Sequence, residues 1–338
     1  MRIEHRSDSG MLDVVGDDVL ACINRDTVEA RGLPNQAFTN PQFLDLERKY
    51  VFSRTWVFAG LLSDIPDTGD VKPVTVGGRE LIMVRSKDGA VNVFHNVCPH
   101  RGAQLVVHAS KGLHTMTCPY HAWSFDLSGS LRGRPHFDGP GKHDKAESDA
   151  AKSVCLFGVR SATWNDWVFV NLDGQAPAFE DYMEPVFARL QSWNLHAFQV
   201  AHYQPFEFHC NWKLAIENFC DNYHVFKVHP ALHDMQAASD RFGMEPDGAH
   251  MFNWFTIHGE GRGLTVDPDG PVLPEVPGLP NELKKNSPFC NIFPNATMAV
   301  FPSNFQFFMF EPLSVDETIM HVWFYFAGDA TQAVKHAK

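Results

Sequence analysis

Apolar positions along the chain change rhythm three times. Asn40-Pro41 reads as an N-cap with proline at the first helical position, and Phe43, Leu46, Tyr50 and Val51 follow at helical spacing, which predicts a helix to about Arg54. From Trp56 the runs become short and strand-like, at 71–76, 80–84 and 91–94, separated by Gly77-Gly78 and Lys87-Asp88-Gly89. Similar runs at 156–160 and 167–172 predict the closing strands of a small antiparallel β domain. Helical spacing returns over 179–195, and strands are predicted at 199–209, 250–258, 297–302, 305–310 and 318–326. Prolines 271, 274, 277 and 280 mark an irregular loop between them. The pattern predicts an α+β chain in three parts: an N-terminal arm and helix over 1–55, a β domain over 56–172, and a mixed domain over 173–338.

Length and charge narrow the class. A chain of 338 residues suits two cores better than one. The net charge of −12 and the lack of any long Arg/Lys run exclude a phosphate-binding surface, so no nucleic-acid partner is expected. Seven cysteines are too few for a disulfide framework in a chain this long, and a reducing cytoplasm is expected. Residues 1–15 have no apolar h-region and no stretch has the uninterrupted apolar length of a membrane helix, so a soluble protein with no membrane partner is expected. Many of the 28 phenylalanines sit in the last strands, where they are read as sheet core.

Two short motifs carry the first candidate chemistry. Cys98-Pro99-His100 is followed after seventeen residues by Cys118-Pro119-Tyr120-His121, so each loop offers one thiolate and one imidazole. In a Rieske [2Fe–2S] centre two histidines replace two cysteines on one iron, and two loops of mixed type meet that demand. A Cys2His2 zinc site is the competing reading, although zinc fingers usually group Cys with Cys and His with His. Cys22, Cys155, Cys210, Cys220 and Cys290 have no ligand spacing and read as small buried or free thiols. Trp123 and Tyr120 are expected to pack around the metal group.

A second cluster runs from Asn211-Trp212-Lys213 to His229-Pro230. Asp221 and His224, three apart, are expected on one helix face, whereas His229 lies roughly 140° further round an ideal helix. The helix must therefore bulge or end if both imidazoles are to reach one ion, and Pro230 favours an ending at His229. Two histidines with a carboxylate leave open positions on Fe(II) for oxygen. Glu217 tunes this site or forms a solvated helix face, and His202 and His209 are read as packed or hydrogen-bonded strand residues.

Together, the segments 96–102 and 118–123 and the residues Asn211, Trp212, Lys213, Glu217, Asn218, Asp221, Tyr223, His224, His229 and Pro230 resemble the alpha subunit of the Rieske non-haem iron oxygenases, the ring-hydroxylating dioxygenase family. The resemblance implies a Rieske β domain followed by a helix-grip catalytic domain. It implies a [2Fe–2S] cluster on Cys98, His100, Cys118 and His121, a mononuclear Fe(II) on His224 and His229, and Asp221 as a conduit and orienter between them. It further implies a homotrimer in which His121 of one chain meets Asp221 of the next, and electrons from NAD(P)H delivered by a reductase, with or without a ferredoxin. The implied product is a small organic substrate hydroxylated with O2 by mono- or dioxygenation, on an aromatic ring or at an N-methyl group. The first hundred residues lean toward the choline, glycine betaine and carnitine monooxygenase branch. Trp254, Phe307 or Trp323 would then cage a quaternary ammonium, and the same residues would serve a flat aromatic ring.

One family feature is missing. The third, carboxylate ligand is expected from a helix after the final strands, where this chain reaches Lys338, so a C-terminally truncated catalytic domain is expected. Asp316, Glu317 and Asp329 read as turn or strand-end residues. The alternative is an electron carrier or ligand-binding fragment with an incomplete iron site.

Overall fold

The computed structural model describes residues 16–23, 25–26, 28–235, 245–256 and 273–328. The chain forms two compact units, one of Phe52–Phe179 and one that joins Glu180 onward with the stretch before Phe52.

In the first unit, strands β1 (Val57–Leu61), β2 (Val71–Val76), β3 (Arg79–Arg85), β4 (Val91–His95), β8 (Gly158–Trp164) and β9 (Trp167–Asn171) build a six-stranded antiparallel sheet ordered β1-β9-β8-β4-β3-β2. The β2–β3 hairpin turns on Gly77-Gly78, both at positive φ (54° and 73°), the backbone that a two-residue primed turn requires and that glycine alone adopts freely. Three short strands, β5 (Thr115–Thr117), β6 (Ser124–Asp126) and β7 (Leu131–Gly133), form a second sheet. Their apolar residues Met116, Phe125 and Leu131 share one core with Ile82, Val84 and Phe94, and Cys98, Cys118 and Trp123 belong to that same core. The cysteine loops are thus seated in packed hydrophobic surface.

The second unit is a seven-stranded antiparallel sheet. Its strands are β10 (Phe198–Phe208), β11 (Glu245–Asp247), β12 (His250–Thr256), β13 (Asn286–Ile292), β14 (Ala296–Val300), β15 (Asn304–Pro312) and β16 (Thr318–Ala327), ordered β10-β16-β15-β14-β13-β12-β11. Strand residues alternate between two faces. One face receives helix α3 (Trp212–Cys220), whose Phe219 lies 4.9 Å from Phe308, 5.3 Å from Phe310 and 6.2 Å from Phe289. The opposite face receives α2 (Phe179–Leu190), with Arg189 3.8 Å over the ring of Phe252 and Tyr182 4.9 Å from His250. Trp254, Phe307 and Trp323, the residues expected to cage a substrate, share the face of Phe252 by register. They are therefore turned away from the helix that leads to His224.

Helix α1 (Pro41–Glu47) starts as the sequence predicts, with the Asn40 side chain accepting from Gln42 N at 2.9 Å, and passes into a π-helical turn over Arg48–Phe52. Its attachment to the second unit is polar and buried. Lys213 Nζ approaches Glu47 Oε1 at 2.7 Å, and the indole N–H of Trp212 donates to Glu47 Oε2 at 2.9 Å. The ammonium also lies 5.0 to 5.5 Å from the rings of Phe38, Phe43 and Trp212. Burial pushes the Glu47 carboxyl up, and the bonds from Lys213 and Trp212 oppose it.

Candidate metal centres

The two cysteine loops repeat one backbone design. Cys98 N donates to Ala103 O at 2.8 Å and Gly102 N donates back to Cys98 O at 2.9 Å; Cys118 N donates to Trp123 O at 2.8 Å and Ala122 N to Cys118 O at 3.0 Å. Residues four beyond each cysteine take left-handed backbone, Gly102 at φ 75° and Ala122 at φ 56°. Asn96, buried beneath the first loop, accepts from Leu105 N and Val106 N and donates to Val106 O. The loops pair the four expected ligands by type, thiol with thiol and imidazole with imidazole. Cys98 and Cys118 lie within hydrogen-bonding reach of each other, both buried. The rings of His100 and His121 meet edge to face, 4.7 Å between centroids, toward the solvent side.

That sorting fits a cluster that gives one iron two thiolates and the other two imidazoles. Burial pushes the Cys98 thiol up, with Cys118 adding to it, and a bound metal would oppose that shift by favouring the thiolate. Burial holds His100 down, helped by His121 and Arg101, a direction that favours the neutral imidazole a metal would need. Trp123 stacks on His100 at 4.4 Å with planes 4° apart, Tyr120 leans on His121 at 3.9 Å, and Arg134 covers Phe137 at 3.6 Å beside them.

The second cluster differs from the sequence expectation in one respect. Helix α3 stops at Cys220 and Asp221 is its extended C-cap (φ −98°, ψ 110°), so Asp221 and His224 share a turn and not a helix face. The turn still joins them: Asp221 Oδ2 meets His224 Nδ1 at 3.2 Å, while Tyr223 N donates to Asp221 Oδ1 at 2.6 Å. A short helix α4 (Val225–Val228) then ends at His229 (φ −122°, ψ 70°), and α5 (Pro230–Met235) follows. This is the ending that Pro230 predicts. It brings the rings of His224 and His229 to 5.2 Å.

With Nδ1 committed to Asp221, His224 Nε2 is left buried with no hydrogen-bond partner, the state of an imidazole whose partner is a metal ion. Among the described residues no third side chain of metal-ligating type completes a group around one point. Asp316 and Glu317 lie in the β15–β16 turn as read, with Ser314 Oγ at 2.7 Å from Asp316 Oδ1; Asp329 lies outside the described residues. Glu217 sits one turn before Asp221 on an exposed position of α3, and desolvation raises its carboxyl against the pull of Lys213. No spacing in the sequence marks Glu47 or Asn96 as supports. The paired Cys-Pro followed by a small residue four positions after each cysteine was the available signal for the repeated loop.

Residues 55–144 match the Rieske [2Fe-2S] domain, and residues 188–338 match the catalytic domain of the ring hydroxylating alpha subunit. The chain is 29% identical over 233 residues to the carnitine monooxygenase oxygenase subunit of Escherichia coli, covering 68% of this chain and 58% of that one. It is 31% identical over 215 residues to the glycine betaine monooxygenase oxygenase subunit of Chromohalobacter salexigens, covering 64% and 47%. To the biphenyl dioxygenase subunit alpha of Metapseudomonas furukawaii it is 32% identical over 236 residues, covering 64% and 51%. The chain thus spans about half the length of the curated relatives it matches. Its fold is that of a quaternary ammonium Rieske monooxygenase solved with L-carnitine (TM-score 0.71, 22% identity, 90% of this chain and 80% of that). It is shared with naphthalene 1,2-dioxygenase from Rhodococcus with indole (TM-score 0.67, 22% identity, 90% and 75%).

Proposed function

We propose, for a chain that belongs through both its domains to the Rieske-type ring-hydroxylating alpha subunits, that it is a terminal oxygenase component which hydroxylates a small organic substrate with O2. The observation that carries this reading is the pairing of two imidazole sites of unlike surroundings in one chain. His100 and His121 stand beside two buried thiols, and His224 and His229 stand beside a carboxylate. Cys98, His100, Cys118 and His121 would hold the [2Fe–2S] cluster, and His224 and His229 a mononuclear Fe(II). When bound, the cluster supplies single electrons and the ferrous ion supplies oxygen activation.

The chain's own residues position these groups. Asp221 accepts from Nδ1–H of His224, which fixes the tautomer and presents the Nε2 lone pair for ligation. With one oxygen on His224 Nδ1 and the other on the Tyr223 amide, Asp221 acts as an orienter of His224. Exposed aromatic residues collect at both sites, Tyr120 and Phe137 by the cysteine loops, Tyr223 and Phe226 by Asp221. This supports a homotrimer in which His121 of one chain meets Asp221 of the next. Electrons come from NAD(P)H through a separate reductase, with or without a ferredoxin. None of the seven cysteines is disulfide-bonded, which fits a reducing compartment such as the cytoplasm; no helix among the described residues is long and apolar enough to cross a membrane.

The experiment is turnover under 18O2 with a reductase, NADH and a panel spanning carnitine, glycine betaine and biphenyl. Incorporation of label into a hydroxylated product is expected. Cluster reduction with no oxygen consumption on any substrate would favour the electron-carrier reading.

A further inference from the structure

The sheet face gripped by α3 carries an unusual set of polar groups. By register this face presents Asn253 on β12, Ser287, Phe289 and Asn291 on β13, Thr297 and Ala299 on β14, and Gln306 and Phe308 on β15. Asn253, Ser287 and Asn291 are 1%, 1% and 5% exposed, yet Asn253 Oδ1, Ser287 Oγ and Asn291 Nδ2 have no hydrogen-bond partner. Most buried polar atoms are paired, because an unmade bond carries the full desolvation penalty, so three orphans on one face call for an absent partner. One of the three, Asn253, is tied to the metal segment. Asn253 Nδ2 donates to Asn222 Oδ1 at 3.0 Å, and Asn222 lies between Asp221 and His224.

The orphans are one carbonyl acceptor, one amide donor and one hydroxyl. No Asp, Glu, Lys or Arg occupies a described strand position on this face. The sheet itself therefore offers a permanent charge no counter-charge on this face, and Trp254, Phe307 and Trp323 lie on the opposite face. Phe219, Phe289 and Phe308 supply apolar, ring-shaped surface beside the polar trio.

We propose that Asn253, Ser287 and Asn291 form the recognition edge of the substrate site and select a neutral ring compound whose attached group both donates and accepts hydrogen bonds, such as a carboxamide. This rests on the oxygenase reading above and names its substrate class. A site built to pair such a group rejects analogues that lack it, because its own buried groups are then left unpaired.

Calorimetric titration of the anaerobic holoprotein with benzamide, ethylbenzene and glycine betaine tests it. Benzamide is expected to bind most tightly. Ser287→Ala is expected to weaken benzamide about three- to tenfold, leave ethylbenzene unchanged, and hold or raise the melting temperature, since it removes an unpaired hydroxyl. Asn291→Leu should weaken benzamide in the same direction, which guards against a loss peculiar to one variant. Failure of benzamide to bind, tighter binding of glycine betaine, or equal weakening of benzamide and ethylbenzene by Ser287→Ala would each overturn the proposal. Failure of the oxygenase reading shows separately, as a holoprotein preparation without labile sulfide or iron.

Discussion

The cysteine loops and the segment from Asp221 to His229 each set two imidazoles about 5 Å apart, at 4.7 Å and 5.2 Å, but the chain supports them in opposite ways. The first pair stands on two loops with the same backbone hydrogen bonds, whose cysteines are part of a hydrophobic core, so hydrogen bonding and packing together seat the thiols. The second pair stands after the end of a nine-residue helix, on a turn, a four-residue helix and a residue before proline, with Asp221 and His229 exposed. A group that only passes electrons gains from rigidity, since little reorganisation accompanies transfer. A centre that must admit oxygen and a substrate needs open positions and surroundings that can move.

The contrast is broken most severely at its rigid end. Cys118→Ala removes a thiolate from the buried pair, and labile sulfide is expected to fall from about two per chain to background. Sulfide content unchanged by that substitution would remove the loops from the cluster. Next in size is the support of the open end. Glu47→Ala leaves Lys213 buried without its carboxylate and Trp212 without its acceptor, a loss of about 3–5 kcal/mol that calorimetry will register as a melting temperature lower by several degrees. Sulfide should stay at the wild-type level in the same sample, because Glu47 belongs to the other compact unit.

Asp221→Asn is smaller and more specific. An amide holds the tautomer of His224 poorly and carries no charge, so product formation should drop about ten- to hundredfold while cluster reduction by the reductase is unchanged. Loss of the mononuclear iron with that substitution would make Asp221 a ligand. The finest comparison lies within the loop pair itself. Gly102 at φ 75° has open space where a Cβ would go, so Gly102→Ala costs about 1 kcal/mol from backbone strain alone, and Ala122→Gly relieves a similar strain of the opposite sign. Equal and opposite shifts in thermal midpoint are the expected result; shifts of one sign would show that the loops are not equivalent.

Much of this architecture is legible in local sequence. Period-two runs and glycine turns locate β2, β3, β4, β10, β12 and β16 within a few residues, because both their hydrophobic faces and their turns are written in adjacent positions. The ligands are legible because metal chemistry restricts residue type and spacing. What escapes is long-range. Glu47 and Lys213 are 166 positions apart, so nothing local pairs them. Which face of the last sheet meets α3 depends on register and on the packing of Phe219, and for that reason Trp254, Phe307 and Trp323 read as a substrate cage when they belong to the other side. Helix ends are equally hard to place: Asp221 fits a helical i,i+3 pair with His224 by spacing, and only the C-cap geometry shows that a turn makes the contact.

The pairing of like ligands is open to one direct measurement: pulsed electron paramagnetic resonance of the dithionite-reduced protein, with iron, zinc and labile sulfide assayed on the same sample. Sulfide at about two per chain and a reduced-cluster signal coupled to nitrogens of two imidazoles, both lost in His121→Ala, is the expected result. Stoichiometric zinc without sulfide, or a reduced cluster with no nitrogen coupling, would contradict it.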